Sequence, residues 1–144
     1  MRSALLLAAV VLVSACGSGR TTHYDVHEAL DCLQRTNSTR GGGDEHSIFL
    51  LFASDDGVSA VEPVFVSFGD GEPNGSVAAA LGVTKRDPMW KERRGDAQVA
   101  GYGPYEPPVA KARGIDESTA TAAAKTLDTA VRRAIDDCLK RNER

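Results

Sequence analysis

The chain contains no G-x-S-x-G elbow, S-x-x-K pair, H-E-x-x-H, C-x-x-C or P-loop, so no short motif assigns it a reaction. A catalytic triad assembled from distant residues would leave no such signature, and sequence alone does not exclude one. Long apolar runs are also missing: the longest, Ala4 to Val13, falls short of the roughly 20 residues that a membrane-spanning helix needs. Positive charge is not in excess either. The net charge of −3 at pH 7 gives no long-range attraction to nucleic acid or anionic lipid, so neither a DNA nor an RNA partner is expected. Cysteine is scarce, with three in 144 residues, and each can be given a place.

The amino terminus is the most informative stretch. Arg2 supplies a charged head, Ala4 to Val13 an apolar run of secretion-signal length, and Val13-Ser14-Ala15-Cys16 a branched aliphatic, two small residues and a cysteine. This ending resembles the lipobox of bacterial lipoproteins. The resemblance implies that residues 1–15 are a signal peptide removed by cleavage. Cys16 would then become the first residue, carrying a diacylglycerol thioether and an amide-linked acyl chain. Two or three chains, at about 0.8 kcal/mol per buried methylene, hold a protein almost permanently on a bilayer. The implied location is the extracytoplasmic side of the cell membrane, with the lipid bilayer as a partner through acylated Cys16.

Removing 15 of 144 residues leaves 129, the size of one domain, and losing Arg2 takes the net charge from −3 to −4. Residues 16–22 read as a lipidated tether, and the six small or polar residues after Cys16 reach about 20 Å when extended. Residues 23–144 read as a single domain. With Cys16 assigned to lipid, Cys32 and Cys138 are an even pair outside the cytosol, where a disulfide is expected, and only one intramolecular pairing exists.

Hydrophobic spacing predicts a first helix over Tyr24 to Thr36, capped by Thr22, with Val26, Ala29, Leu30 and Leu33 on one face. The glycine-rich segment from Asn37 to Asp44 reads as a loop. His46 to Ala53 is apolar on both faces and reads as a buried central strand. Over 54–68 two readings stand. Asp56-Gly57 is a hairpin signal leading into a valine- and phenylalanine-rich strand, whereas Ser54 could cap a helix with Val58, Val61, Phe65 and Phe68 on one side. Pro63 would interrupt either element unless it lay on a sheet edge. Gly69 to Gly75 reads as a loop, Ser76 to Thr84 as a strand, Lys85 to Arg94 as a charged loop and Ala97 to Tyr102 as a short strand. Tyr102 to Pro108 is expected to cross the surface in extended form. A long final helix runs from Asp116 to Arg141, with Leu127, Val131, Ile135, Cys138 and Leu139 in one apolar stripe.

Candidate chemistry is sparse. His23 and His27, four apart, would share a helical face and could hold a metal ion with His46 or Glu45 as a third ligand. Asp70-x-Glu72-x-Asn74-Gly75 resembles the opening of a calcium-binding EF-hand loop but has Leu81 where the bidentate glutamate belongs. Trp90 sits among Lys85, Arg86, Lys91, Arg93 and Arg94, a segment that could touch anionic headgroups or wall polymer, or could tuck its indole onto the core. Tyr102 and Tyr105 could form a binding ledge.

The expected fold is α+β: a small, mostly antiparallel sheet with the N- and C-terminal helices packed together on one face and joined through Cys32 and Cys138. The expected function is a membrane-anchored envelope lipoprotein with a small non-catalytic binding domain, facing an envelope protein or wall polymer, with no cofactor. The alternative is a small extracytoplasmic enzyme or metal binder using His23, His27 and His46.

Overall fold

The computed structural model describes residues 21–36, 38–69 and 87–144. Among the described residues five strands and three helices follow in the order α1 (Val26–Gln34), β1 (Thr39–Gly43), β2 (Ser47–Ala53), β3 (Val61–Phe68), β4 (Trp90–Arg94), β5 (Ala97–Gly101), α2 (Pro108–Ala112) and α3 (Glu117–Arg141). The strands form one antiparallel sheet in the order β1-β2-β3-β5-β4. Its inward face carries Ile48, Leu50 and Phe52 of β2, Val64, Val66 and Phe68 of β3, and Ala97 and Val99 of β5. All are buried against Ala29, Leu30 and Leu33 of α1 and Leu127, Val131, Ile135 and Leu139 of α3. Period-two alternation on the strands and 3.6-residue spacing on the helices thus meet in one core. The fold is α+β, with both terminal helices on one face of the sheet. The signal-peptide, lipobox and EF-hand readings, and the strand expected over 76–84, lie outside the described residues.

The two helices are unequal. α1 has 9 residues and α3 has 25, or about 13 and 37 Å of helix at 1.5 Å per residue. They meet at the C-terminal half of α3, where a Cys32–Cys138 disulfide joins them. α1 starts later than expected. Its cap is Asp25, whose carboxylate accepts from the Glu28 amide at 3.2 Å, while the Thr22 carbonyl accepts from the Asp96 amide and Tyr24 pairs with Glu143. Asp25 satisfies an orphan amide of the first turn, so Thr22 is free to follow the sheet instead. α3 is capped by Asp116, which accepts from the Thr119 amide at 2.8 Å.

The segment 54–68 is a hairpin and strand, not a helix. Asp56 organises the turn: its Oδ1 accepts from Ser54 Oγ and from the Val58 and Ser59 amides at 2.7 to 2.9 Å, and Ser59 Oγ donates to Oδ2. Pro63 sits within β3, which has neighbours on both sides, and breaks no ladder. Its carbonyl accepts from the Tyr102 amide just past the β3–β5 register, which ends at Val64↔Gly101, so its missing donor faces the point where the chain leaves β5. Two expected loops contain strands. Thr39–Gly43 forms edge strand β1 despite three glycines, because β2 supplies all its pairing on one side. Trp90–Arg94 forms β4, the opposite edge, with Trp90, Glu92 and Arg94 facing α3 and Lys91 and Arg93 facing away. The extended crossing after Tyr102 is observed, followed by a short helix α2 that the prolines had hidden; Pro108 occupies its first turn, where a missing donor is harmless.

The disulfide closes a sequence separation of 106 residues. On the chain-entropy account a loop of that length contributes about 4 to 5 kcal/mol. Chemical denaturation with and without reductant should give unfolding free energies that differ by that order; superimposable curves would mean that the bond contributes no net stability.

Candidate functional site

A groove of about 470 Å³ opens beside the N-terminal half of α3, within the range of about 300 to 1,000 Å³ typical of ligand sites. Its origin is the length mismatch between helices: α1 flanks α3 only near Cys138, so beyond that point the flank of α3 over β2 has no neighbour. One wall is Ala122, Ala123, Thr126, Ala130 and Ala134 with Leu127 and Val131; the other is Phe52 and Ala53 at the end of β2. Small side chains on α3 leave room for close approach of another chain. The mouth is acidic, with Asp55 and Asp56 from the β2–β3 turn. Hydrogen bonds from Ser59 and Ser54 hold the Asp56 carboxyl far below the usual carboxylate range, so that end of the groove stays negatively charged.

On the opposite flank of α3 lies a polar network that sequence reading did not find. Glu62 of β3 is 0% exposed and shares the inward face with Val64, Val66 and Phe68. Trp90 of β4 covers it, its Nε1 donating to Glu62 Oε1 at 2.9 Å, and the Arg132 guanidinium stacks on the indole 4.1 Å from the ring centroid. Arg132 Nε donates to both Asp128 oxygens at 3.0 and 3.1 Å, and its Nη1 to Glu92 at 2.6 Å. Arg94 donates to Glu92 at 2.5 Å and pairs with Asp136. Burial is the main reason why the Glu62 carboxyl is pushed up to about 7; the indole donor opposes that rise, and neighbouring Asp128 adds to it.

Of the residues singled out in the sequence, Cys32 and Cys138 are joined, whereas the histidines of the alternative reading separate. His23 lies before α1 and bonds Asp96 at 3.0 Å, so it does not share a helical face with His27. His46 stands at the β1–β2 turn beside Glu45. Among the described residues no three His, Cys, Asp or Glu side chains are grouped to hold a metal ion, and no helix is long and apolar enough to cross a membrane. Trp90 packs on the core, and Arg94 of the basic segment is neutralised by Glu92 and Asp136. Tyr102 packs against Phe49 and Phe65 on the outer face of the sheet, leaving Tyr105, 37% exposed, without the partner that a ledge requires. Comparison with protein-family models, with curated proteins and with solved structures finds no match.

The one sequence signal for the network is a single charge, Glu62, inside the apolar run Val61–Phe68 and in phase with its buried valines. The indole over it depends on Gly101, which pairs with Trp90 across the β4–β5 ladder and where any Cβ would collide with the ring. Gly101→Ala should displace Trp90 and destabilise by about 1 to 3 kcal/mol, as overpacking does. Thermal melts and Trp90 emission check this, and an unshifted spectrum with unchanged stability would contradict it.

Proposed function

We propose that the chain is an extracytoplasmic lipoprotein whose domain binds a partner without catalysis, in the groove beside α3. The observation that carries the anchoring half is the Val13-Ser14-Ala15-Cys16 ending of the leader, and the Cys32–Cys138 disulfide is in keeping with an oxidising compartment. The observation that carries the binding half is the groove itself, an apolar trough closed by fixed carboxylates.

The occupant that fits is an amphipathic helix of another envelope protein, with a basic residue near its end. Apolar walls favour a protein segment over a polar wall polymer, the alanines permit close helix packing, and Asp55 and Asp56 complement a positive charge. Position supports the same reading. Thr22, the last tether residue, is bonded to the β4–β5 turn, where Gly95 has φ +57° and leaves the space that a Cβ would take from the Thr22 backbone. The groove mouth is at the other end of the strands, about 25 Å away along the 8 residues of β3. A tether at one end therefore presents the groove to the side away from the bilayer.

Full-length protein expressed in bacteria should partition into the detergent phase, and Cys16→Ser should move it to the aqueous phase. Recovery of the unaltered protein in water with an intact leader by mass spectrometry would end the anchoring reading. A photo-crosslinking residue at Ala130 should yield one discrete adduct in cells, lost when Ala122→Trp fills the groove, while the same probe at exposed Arg133 yields none. Equal labelling from both positions would end the binding reading and leave the anchoring one standing.

A further inference from the structure

Glu62 Oε2 is buried and has no hydrogen-bond donor, although Asp128 is within hydrogen-bonding reach of the carboxyl. Two ionised carboxylates do not hold each other at that range in a buried site, because neither offers a hydrogen and both are anions. Both oxygens of Asp128 already accept from Arg132 Nε, and no donor of that guanidinium reaches Glu62 Oε2. The missing hydrogen therefore belongs on Glu62. The groups around it are few: Asp128 and Arg132 from α3, the Trp90 indole from β4 with Glu92 held at one remove by Arg132, and two uncharged neighbours, Phe52 across the β2 ladder and Gly103 just past β5.

We propose that Glu62 and Asp128 hold one proton between them, and that this shared proton latches the middle of α3 to β3 and β4, so that the helix loosens from the sheet when the proton is lost. The proton makes the orphan oxygen a donor and leaves the Glu62–Asp128 pair with a single negative charge. Without it two anions face each other beneath Trp90, beside one guanidinium, Arg132, that is already bonded to Asp128 and Glu92.

The direction of the pH dependence follows. The carboxyl titrates near 4.5 in the open chain and near 7 when folded. Between these values the folded chain holds a proton that the unfolded chain has released, so stability falls as pH rises through the window and levels off above it.

Trp90 is the only tryptophan, so its emission reads the latch directly. The full chain, purified in detergent, should show an emission transition centred near pH 7. Hydrogen exchange in the middle of α3, corrected for the intrinsic rate, should report an opening equilibrium that rises by up to about tenfold per pH unit below that midpoint. Glu62→Gln keeps an acceptor for the indole and cannot ionise, so it should abolish the transition. Asp128→Asn removes the neighbouring anion and should move the midpoint down. A folded wild-type chain with flat emission and exchange from pH 5 to 9, a transition that persists in Glu62→Gln and so belongs to the histidines, or a midpoint unmoved by Asp128→Asn would each overturn the proposal. If Glu62→Gln does not fold, the wild-type exchange profile and Asp128→Asn decide between these outcomes.

Discussion

The structure depends on covering one face of a five-stranded sheet with two helices of very different length. The inward residues of β2, β3 and β5 form a continuous apolar surface, and α3 alone runs the distance needed to cover it. α1 covers only the stretch near Cys138, where the disulfide fixes it to α3. Each large apolar side chain taken fully out of water contributes about 1.5 to 3 kcal/mol, so this interface outweighs any single polar contact in the molecule. What the helices leave uncovered follows from the same geometry: an open trough on the β2 flank of α3, and on the β4 flank a strip too narrow for a further helix.

The β4 flank is closed by side chains instead. Trp90, Glu92 and Arg94, alternating on an edge strand, meet Asp128, Arg132 and Asp136, which are one turn apart on α3. Exposed ion pairs taken singly contribute about 0 to 1 kcal/mol, so the ladder of charges does not by itself hold β4 in place. The stronger terms are the indole, stacked on one face by a guanidinium and hydrogen-bonded at its edge through Nε1, and the requirement that a fully buried carboxyl be satisfied. The ladder aligns these two. It also accounts for an edge strand made of WKERR, a sequence whose inward positions are chosen for partners on a helix and not for apolar burial.

Elements with a local cause were legible in the sequence. The stripe on α3, the apolar run of β2 and the even pair of cysteines each announce themselves through period, length or count, and the α+β arrangement follows from them; the Asp56-Gly57 turn was only one of two readings of its segment, because Ser54 and the spacing of Val58, Val61, Phe65 and Phe68 suit a helix equally. β1 and β4 were not, because both are edges whose strand character comes from a neighbour: glycine-rich Thr39–Gly43 from β2, charged Trp90–Arg94 from β5 and α3. Pro63 misled in the same way, since its tolerance depends on where β5 ends. The histidine site of the alternative reading required His23 to be helical, and Asp25 starts the helix after it. The groove has no sequence signature at all, because it is set by where one helix stops relative to another.

The groove and the buried carboxyl lie along the same helix. Leu127 and Val131 line the groove, while Asp128 and Arg132, the residues that follow each of them, face Glu62 and Trp90 on the other flank. A 25-residue helix packed on a close-packed core moves as a unit, so a displacement that separates Asp128 from Glu62 also changes the distance from Leu127 and Val131 to Phe52 across the trough. The C-terminal end of α3 is held by the disulfide, and its terminal turn by Asn142 and Arg144, whose backbones bond Asp25 and His23. The end beside the groove has no covalent restraint. Any freedom in α3 is therefore greatest where the groove opens and least at the end bonded to His23, Asp25 and Cys32.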